Sequence, residues 1–316
     1  MDSIQSLLQD VPLTKLFGRT DDYSVHKVLN DYIANPGKMI RPQLIHLFGK
    51  IFNIHSKDQI LLSRAAEMIH TASLIHDDVV DDADLRRGMP ALNRIKNNSL
   101  AVLAGDFLLA RVIVEMVEAQ HFEALKTLSQ ALEEIVEGEF LQSELKKTGT
   151  TTRNQLIEVS KRKTGALLAW SCSAVAQCSR ANHEIIKLAH EFGIYIGIAF
   201  QLIDDNLDYS IDSGKDYAKD LKEGLINFTT LNLIRLHPEL YYSVYQLRGT
   251  EFDQNPWTMD QINSAKEETK KEAHLYLDKS KEILTQIIQL AGHEEKESDQ
   301  FDELFNFLEE LRKRSK

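Results

Sequence analysis

Two cysteines are all that the 316 residues contain. Cys172 and Cys178 lie six apart in a helix-like run and do not stack on one face. That spacing argues against a disulfide or a zinc site and leaves small buried residues of a reducing compartment. Turn formers are also scarce. Six prolines and 14 glycines make up about half the usual share, too few for a sandwich or barrel that turns roughly every ten residues. Basic residues fall short of acidic ones, 37 against 48, for a formal charge of −11 and a pI near 5.5. Nucleic-acid binding rests on basic patches that neutralise phosphates, so that class is set aside. Long apolar runs are missing too. The longest stretch without a charged residue, Thr164 to Ser179, has 16 residues and still holds Ser, Thr and Gln, whereas an integral membrane span takes about 20 mostly apolar residues. The start, Met1-Asp2-Ser3-Ile4-Gln5, lacks the basic opening and apolar run of a secretion signal. A soluble, cytoplasmic protein is the expectation.

What the chain has in abundance is helical period. Apolar residues three and four apart predict helices at about 21–34, 40–53, 57–82, 98–119, 122–147, 153–180, 183–209, 224–236, 259–291 and 298–314. Ser56…Gln59, Thr152…Gln155 and Thr258…Gln261 each fit a capping box, in which a hydroxyl and a Gln three residues later satisfy orphan backbone donors. No strand-like alternation, solenoid repeat or low-complexity linker competes. One all-α domain over residues 1–316 is therefore predicted. The least regular stretches are Leu85–Asn97, Ser210–Glu223 and Arg248–Trp257, and the first two hold clusters of Lys, Arg and Gly that read as working loops.

Two short runs carry the chemistry: Asp77-Asp78-Val79-Val80-Asp81 and Asp204-Asp205-Asn206-Leu207-Asp208. With 23 Asp in the chain, chance predicts about 0.1 copies of Asp-Asp-x-x-Asp, so two are hard to dismiss. On a helix, residues four apart stack, which puts Asp77 beside Asp81 and Asp204 beside Asp208. Such carboxylates repel one another, and at the C-terminal end of a helix the macrodipole adds to the penalty. A solvated acidic face is the bland alternative for one acidic cluster. Here both flanks, Ala65–Ile75 and Phe192–Phe200, are mostly apolar, and buried carboxylates must be paired or bind metal. Oxygen donors without a Cys or His array suit a hard ion such as Mg²⁺, which uses one or two carboxylates and completes its shell with water and substrate phosphates.

Cations accompany both triplets. Arg86-Arg87-Gly88 follows the first, Lys38 and Arg41 lie within the turn Gly37–Pro42, Lys163-Thr164 sits mid-helix, and Lys215 and Lys219 follow the second. Arg forks and Lys point charges suit phosphate oxygens. Each pair alone is ordinary surface charge. Lys163 stands out because it precedes the longest uncharged run and so should face something anionic. His70, Ser73, Asp77 and Asp81 share one helix face, and Gly197, Gln201, Asp204 and Asp208 share another. Gly193 and Gly197, four apart, would let a second backbone approach. No Ser–His or Cys–His nucleophile set is evident.

With these residues in place the sequence resembles the trans-type polyprenyl diphosphate synthases, of the geranylgeranyl to hexa- and heptaprenyl class. The resemblance runs from Gly37-Lys38-Met39-Ile40-Arg41-Pro42 through Asp208 to Lys215. It implies the isoprenoid synthase fold, a helical bundle around a central cavity. It also implies that Asp77, Asp78, Asp81, Asp204, Asp205 and Asp208 hold three Mg²⁺ around an allylic diphosphate. Arg86, Lys163, Thr164, Gln201 and Lys215 would hold that diphosphate, and Lys38, Arg41, His70 and Arg87 would bind isopentenyl diphosphate. Charge neutralisation lets the allylic diphosphate leave, the isopentenyl alkene attacks the cation, and proton loss yields a chain one five-carbon unit longer. A homodimer is the family expectation.

In the family that the sequence resembles, bulky aromatics four and five residues before the first aspartate stop the chain early. Here those places are Ser73 and Ala72, with Ala66 further along, so the resemblance implies an open tunnel and a product longer than farnesyl, close helix packing being the alternative reading. Two departures stand out. Ala218-Lys219-Asp220 replaces Gly-x-Asp, and Leu225 after Gly224 stands where a lysine is usual. Asn227-Phe228-Thr229 then replaces Thr-Leu-Pro. Catalytic subunits of two-component synthases share the missing lysine, so a small partner subunit is a second expectation. A class I terpene cyclase is disfavoured, since its second metal motif mixes Asn, Ser or Thr with Glu.

Overall fold

A computed structural model describes Leu29 and residues 38–86, 88–210, 217–252, 254–293 and 301–314. The helix expected at 21–34 lies outside these residues apart from Leu29. The described chain is almost entirely helical, in line with the scarcity of turn formers. It divides into two compact units, one of residues up to Ser129 with Ser171–Asn182, the other of Gln130–Trp170 with the residues from His183 onward.

In the first unit, α1 (Ile40–Phe52), α2 (Ser56–Val80) and α4 (Asn98–Glu118) pack together. Leu44, Ile45, Phe48, Leu62, Met68, Ile69, Ile75, Leu108 and Met116 are fully buried among them. Between α2 and α4 run a two-residue hairpin, β1 (Leu85–Arg86) and β2 (Met89–Pro90), and the short α3 (Leu92–Ile95). Gly88 turns that hairpin at φ 78°, a region only glycine enters without strain.

Next come α5 (Phe122–Thr148), α6 (Arg153–Val159), a π-helical turn Ser160–Gly165 and α7 (Ala166–Cys178). The second unit continues with α8 (His183–Leu207), α9 (Lys219–Lys222), α10 (Phe228–Leu236), α11 (Tyr241–Leu247) and α12 (Met259–Leu290), ending in α13 (Asp302–Arg314). The helix predicted over 153–180 is thus interrupted by the wider turn at 160–165, a feature that leaves no period of its own in the sequence. Two of the three capping boxes form, at Thr152 and Thr258. Ser56 instead becomes the first residue of α2, and Gln59 is turned inward to His46 Nδ1 (3.0 Å) and the Ile54 carbonyl (3.0 Å).

Helix α8 packs against α12 and the π-turn. It is the one helix among the described residues long and apolar enough to cross a membrane, and half of that stretch is buried within the protein. Lys187 and Glu191 interrupt its apolar run, so no charge-free segment of spanning length marks it in the sequence. Gly193 and Gly197 do allow close approach. A Cβ at Gly193 would lie 2.3 Å from the Ala169 Cα, and one at Gly197 would lie 2.3 Å from the Gly165 Cα.

Candidate active site

The first triplet closes α2. Asp77 and Asp78 sit in its last turn, and Asp81 is the residue just past its end, its N–H donating to the Asp77 carbonyl at 2.8 Å. Asp77 is half-buried, Asp81 is exposed, and Asp78 is fully buried. Asp78 is held by Arg86, whose Nε donates to Oδ1 at 2.8 Å and whose Nη2 donates to the same oxygen. The hairpin returns Arg86 to this position eight residues downstream. Asn93 Nδ2 ties the Asp78 and Ala83 carbonyls at 3.1 and 3.2 Å, and Arg94 pairs with Asp82 (2.9 Å) and Asp84 (2.7 Å). The preceding residue, His76, reaches the Val102 carbonyl at 3.2 Å. It can do so because residue 105 is glycine, where a Cβ would meet the His76 ring at 2.1 Å.

His70, Ser73, Asp77 and Asp81 line a face of α2 that is not buried, as their spacing predicts, while Ala72 is fully buried. The Ser73 hydroxyl folds back onto the His70 carbonyl at 2.9 Å. Lys38 is exposed. Arg41 lies in the first turn of α1, which starts at Ile40 as the helical period predicted, and so not in a turn running to Pro42; Met39 before it takes the left-handed conformation (φ 52°). Arg87 lies outside the described residues.

The second triplet closes α8 in the same manner. Asp204 is half-buried, and Asp205 and Asp208 are buried. Asp205 is the centre of a relay. Thr164 Oγ1 donates to Gln201 Oε1 (3.0 Å), Gln201 Nε2 donates to Asp205 Oδ1 (2.7 Å), and the Phe228 N–H donates to Oδ2 (2.9 Å). Burial pushes the Asp205 carboxyl well above the usual range, and neighbouring Asp220 pushes it the same way; the two donors act in the opposite sense. Asp208, just past the helix end, accepts the backbone N–H groups of Lys219 (3.1 Å) and Asp220 (3.3 Å). Lys219 therefore meets the triplet through its backbone. Its exposed ammonium goes to Glu223 at 3.3 Å. Lys215 lies outside the described residues.

Lys163 does face an anion. Its Nζ donates to Glu139 (2.7 Å) and to Gln142 Oε1 (2.9 Å), both on α5. Sequence reasoning missed Glu139 and Gln142, since their pairing with Lys163 spans more than twenty residues. Asp220 was visible only as the acid of the altered Gly-x-Asp slot; in the structure it accepts from Asn227 Nδ2 at 2.8 Å. A Cys–His contact was missed as well. Cys178 Sγ lies 3.5 Å from His121 Nδ1, and His121 Nε2 lies 2.9 Å from Asp58 Oδ1. Burial, reinforced by Asp58, pushes the Cys178 thiol up to about 12, so it serves as a hydrogen-bond donor and not as a thiolate.

Among the described residues no three His, Cys, Asp or Glu side chains form a ready metal cage. Each triplet keeps one or two acids toward its less buried side. That donor set fits an ion which takes few carboxylates and fills its shell with water and phosphate oxygens.

Comparison with known proteins settles the family. The polyprenyl synthetase family model matches residues 23–256. The chain belongs to the polyprenyl synthetase family. Among curated relatives, the decaprenyl-diphosphate synthase of Dictyostelium discoideum is 35% identical over 246 residues, covering 75% of this chain and 53% of that protein. The human all trans-polyprenyl-diphosphate synthase PDSS1 is 37% identical over 219 residues, covering 66% of this chain and 53% of that one. The chain thus matches about half the length of these two relatives. Among solved structures, a decaprenyl diphosphate synthase from Rhodobacter capsulatus aligns with a TM-score of 0.83 at 25% identity, over 100% of this chain and 99% of that one. A polyprenyl synthase from Caulobacter crescentus, solved with calcium and isoprenyl diphosphate, aligns with a TM-score of 0.76 at 28% identity, over 100% and 93%. The isoprenoid synthase fold expected from the motifs is the fold of these polyprenyl synthetases.

Proposed function

We propose that this polyprenyl synthetase is a Mg²⁺-dependent prenyltransferase that condenses isopentenyl diphosphate with an allylic diphosphate. Its product would be a trans-polyprenyl diphosphate longer than farnesyl. The carrying observation is the shared build of the two triplets. In each, the middle acid is buried and held by the protein, Asp78 by Arg86 and Asp205 by Gln201 and the Phe228 N–H. The first acid, Asp77 or Asp204, stays half-buried at the end of a rigid helix. Asp77, Asp81 and Asp204 would hold Mg²⁺, while Asp78, Asp205 and Asp208 keep the backbone beneath them in place. The ion would supply charge neutralisation for the leaving diphosphate. Lys163 and the Thr164–Gln201 pair would orient its oxygens, and the isopentenyl diphosphate would be taken by Lys38, Arg41 and His70.

Chain length beyond farnesyl is supported by the relatives, which are named decaprenyl, solanesyl and hexaprenyl synthases. Residues 1–316 are read as one cytoplasmic synthase domain working as a homodimer. Leu225 in place of the usual lysine keeps a second reading in view, a catalytic subunit that needs a small partner.

Purified protein would be incubated with Mg²⁺, isopentenyl diphosphate and farnesyl or geranylgeranyl diphosphate, with products read by mass spectrometry. A single longer polyprenyl diphosphate, lost on adding a chelator and restored by Mg²⁺, is the expected result. Turnover only after adding source-cell extract would establish the two-subunit reading. Silence in both would sink the synthase assignment.

A further inference from the structure

The proposed role of Lys163 leaves open how a flexible lysine comes to present its charge at one point. A free lysine side chain samples many rotamers and loses that freedom when it is fixed. Here the chain is bound on two sides, by the Glu139 carboxylate at 2.7 Å and the Gln142 amide oxygen at 2.9 Å. Both Glu139 oxygens lie 2.7 Å from Nζ, so the ammonium is gripped by three oxygens of α5 while its side chain stays about 29% exposed.

The surroundings select this pairing. Neighbouring cations have partners of their own, Lys161 at Glu158 (2.8 Å) and Arg162 at Glu137. All three cations lie in the π-turn Ser160–Gly165, and such turns recur at functional sites. Gly138, beside Glu139, lets α5 come close. A Cβ there would lie 2.9 Å from the Lys163 backbone nitrogen, so any side chain at 138 would push the two elements apart.

We infer that Glu139 and Gln142 are positioning residues for diphosphate recognition. They hold the Lys163 ammonium in one place, from which it presents its charge to a phosphate oxygen. This inference rests on the reading of Lys163 as a diphosphate ligand, and the test separates the two.

Binding of inorganic pyrophosphate with Mg²⁺ to the full chain would be followed by calorimetry for the parent, Lys163→Ala, Glu139→Ala, Glu139→Gln, Gln142→Ala and the Lys163→Ala/Glu139→Ala double variant. Loss of one charge-assisted hydrogen bond predicts weakening by about tenfold for Lys163→Ala. Glu139→Ala should lose nearly as much, and Gln142→Ala about threefold. Glu139→Gln keeps an acceptor oxygen and should stay within about twofold of the parent. The double variant should bind no worse than Lys163→Ala alone, which a merely structural role for Glu139 would not give. Should Glu139→Ala fail to fold, Gln142→Ala and Glu139→Gln carry the same comparison. Parent-like or tighter binding by Glu139→Ala, or additive losses in the double variant, would overturn the inference while leaving Lys163 as a ligand. An unchanged Lys163→Ala would remove both.

Discussion

Each triplet sets residues of the same type to different tasks, and burial decides which. Asp78 is fully buried with Arg86 as its cation. Removing one partner of such a pair strands a charge, so Arg86→Ala should lower unfolding free energy by about 3 kcal/mol, read from denaturant midpoints. Asp81 is exposed at the helix end. Asp81→Asn should leave stability within about 0.5 kcal/mol while reducing Mg²⁺-dependent turnover by about a hundredfold; equal effects of the two changes on both readouts would contradict the division of roles. Ala72 and Ser73, alike in the sequence as small residues below the aspartates, also part company. Ala72 is fully buried, so Ala72→Phe should overpack the first unit at a cost of about 1–3 kcal/mol. Ser73 is half-buried with its hydroxyl turned onto its own helix. Ser73→Phe is therefore the substitution expected to shorten the product, and an unchanged product distribution from a folded variant would reject the tunnel along this face.

At the scale of elements, the period-3.6 pattern carried most of what the structure shows. The ends of α2, α4, α5, α8, α12 and α13 fall within a few residues of their predicted positions, because long amphipathic runs and the caps at Thr152 and Thr258 act locally. What was not legible depends on partners far along the chain. The π-turn at 160–165, the inward turn of Gln59, the Glu139–Lys163 pair and the His121–Cys178 contact all need a second segment to explain them. The Gly193–Gly197 spacing was legible as an invitation to close packing but not as to which backbone accepts it; that backbone is Gly165–Ala169. Gly197→Ala should force α8 away from the π-turn, destabilise the protein by about 1–3 kcal/mol and weaken pyrophosphate binding through displaced Thr164. Cys178, at the end of α7, makes a pH prediction. Its folded pKa is raised from 9.0 to about 12, so the unfolded chain gives up the thiol proton first. The associated stability is complete below pH 9 and declines at about 1.4 kcal/mol per pH unit above it, toward pH 12. Urea titrations at pH 8 and pH 10 should show parent losing about 1 kcal/mol more than Cys178→Ala; parallel losses would mean the thiol ionises normally.

For the molecule as a whole, acidic residues outnumber basic ones, 48 against 37, so the proposed binding of a diphosphate would rest on bound metal and a handful of placed Lys and Arg side chains. One surface does not follow that acidic pattern. Along α4, Leu103 (59% exposed), Ile113 (53%) and Val114 (43%) stand at helical spacing on the outward face, with Val102 and Val117 beside them. Their reverse side, Ala101, Ala104, Leu108, Val112 and Met116, is fully buried, so α4 carries apolar residues on both faces, with Asp106 an exposed acid on the outward one. An outward apolar face of that kind is ordinarily covered, and the homodimer proposed above would cover it. Ile113→Glu with Val117→Glu would place two charges on the outward face without touching the core. Light scattering should then report a monomer, where the parent is a dimer, with the helical circular dichroism unchanged. A parent that is itself monomeric, but becomes a larger species when source-cell extract is added, would assign the same face to a small partner subunit. A parent dimer that survives both substitutions would place the dimer contact elsewhere and leave this apolar face without a role in assembly.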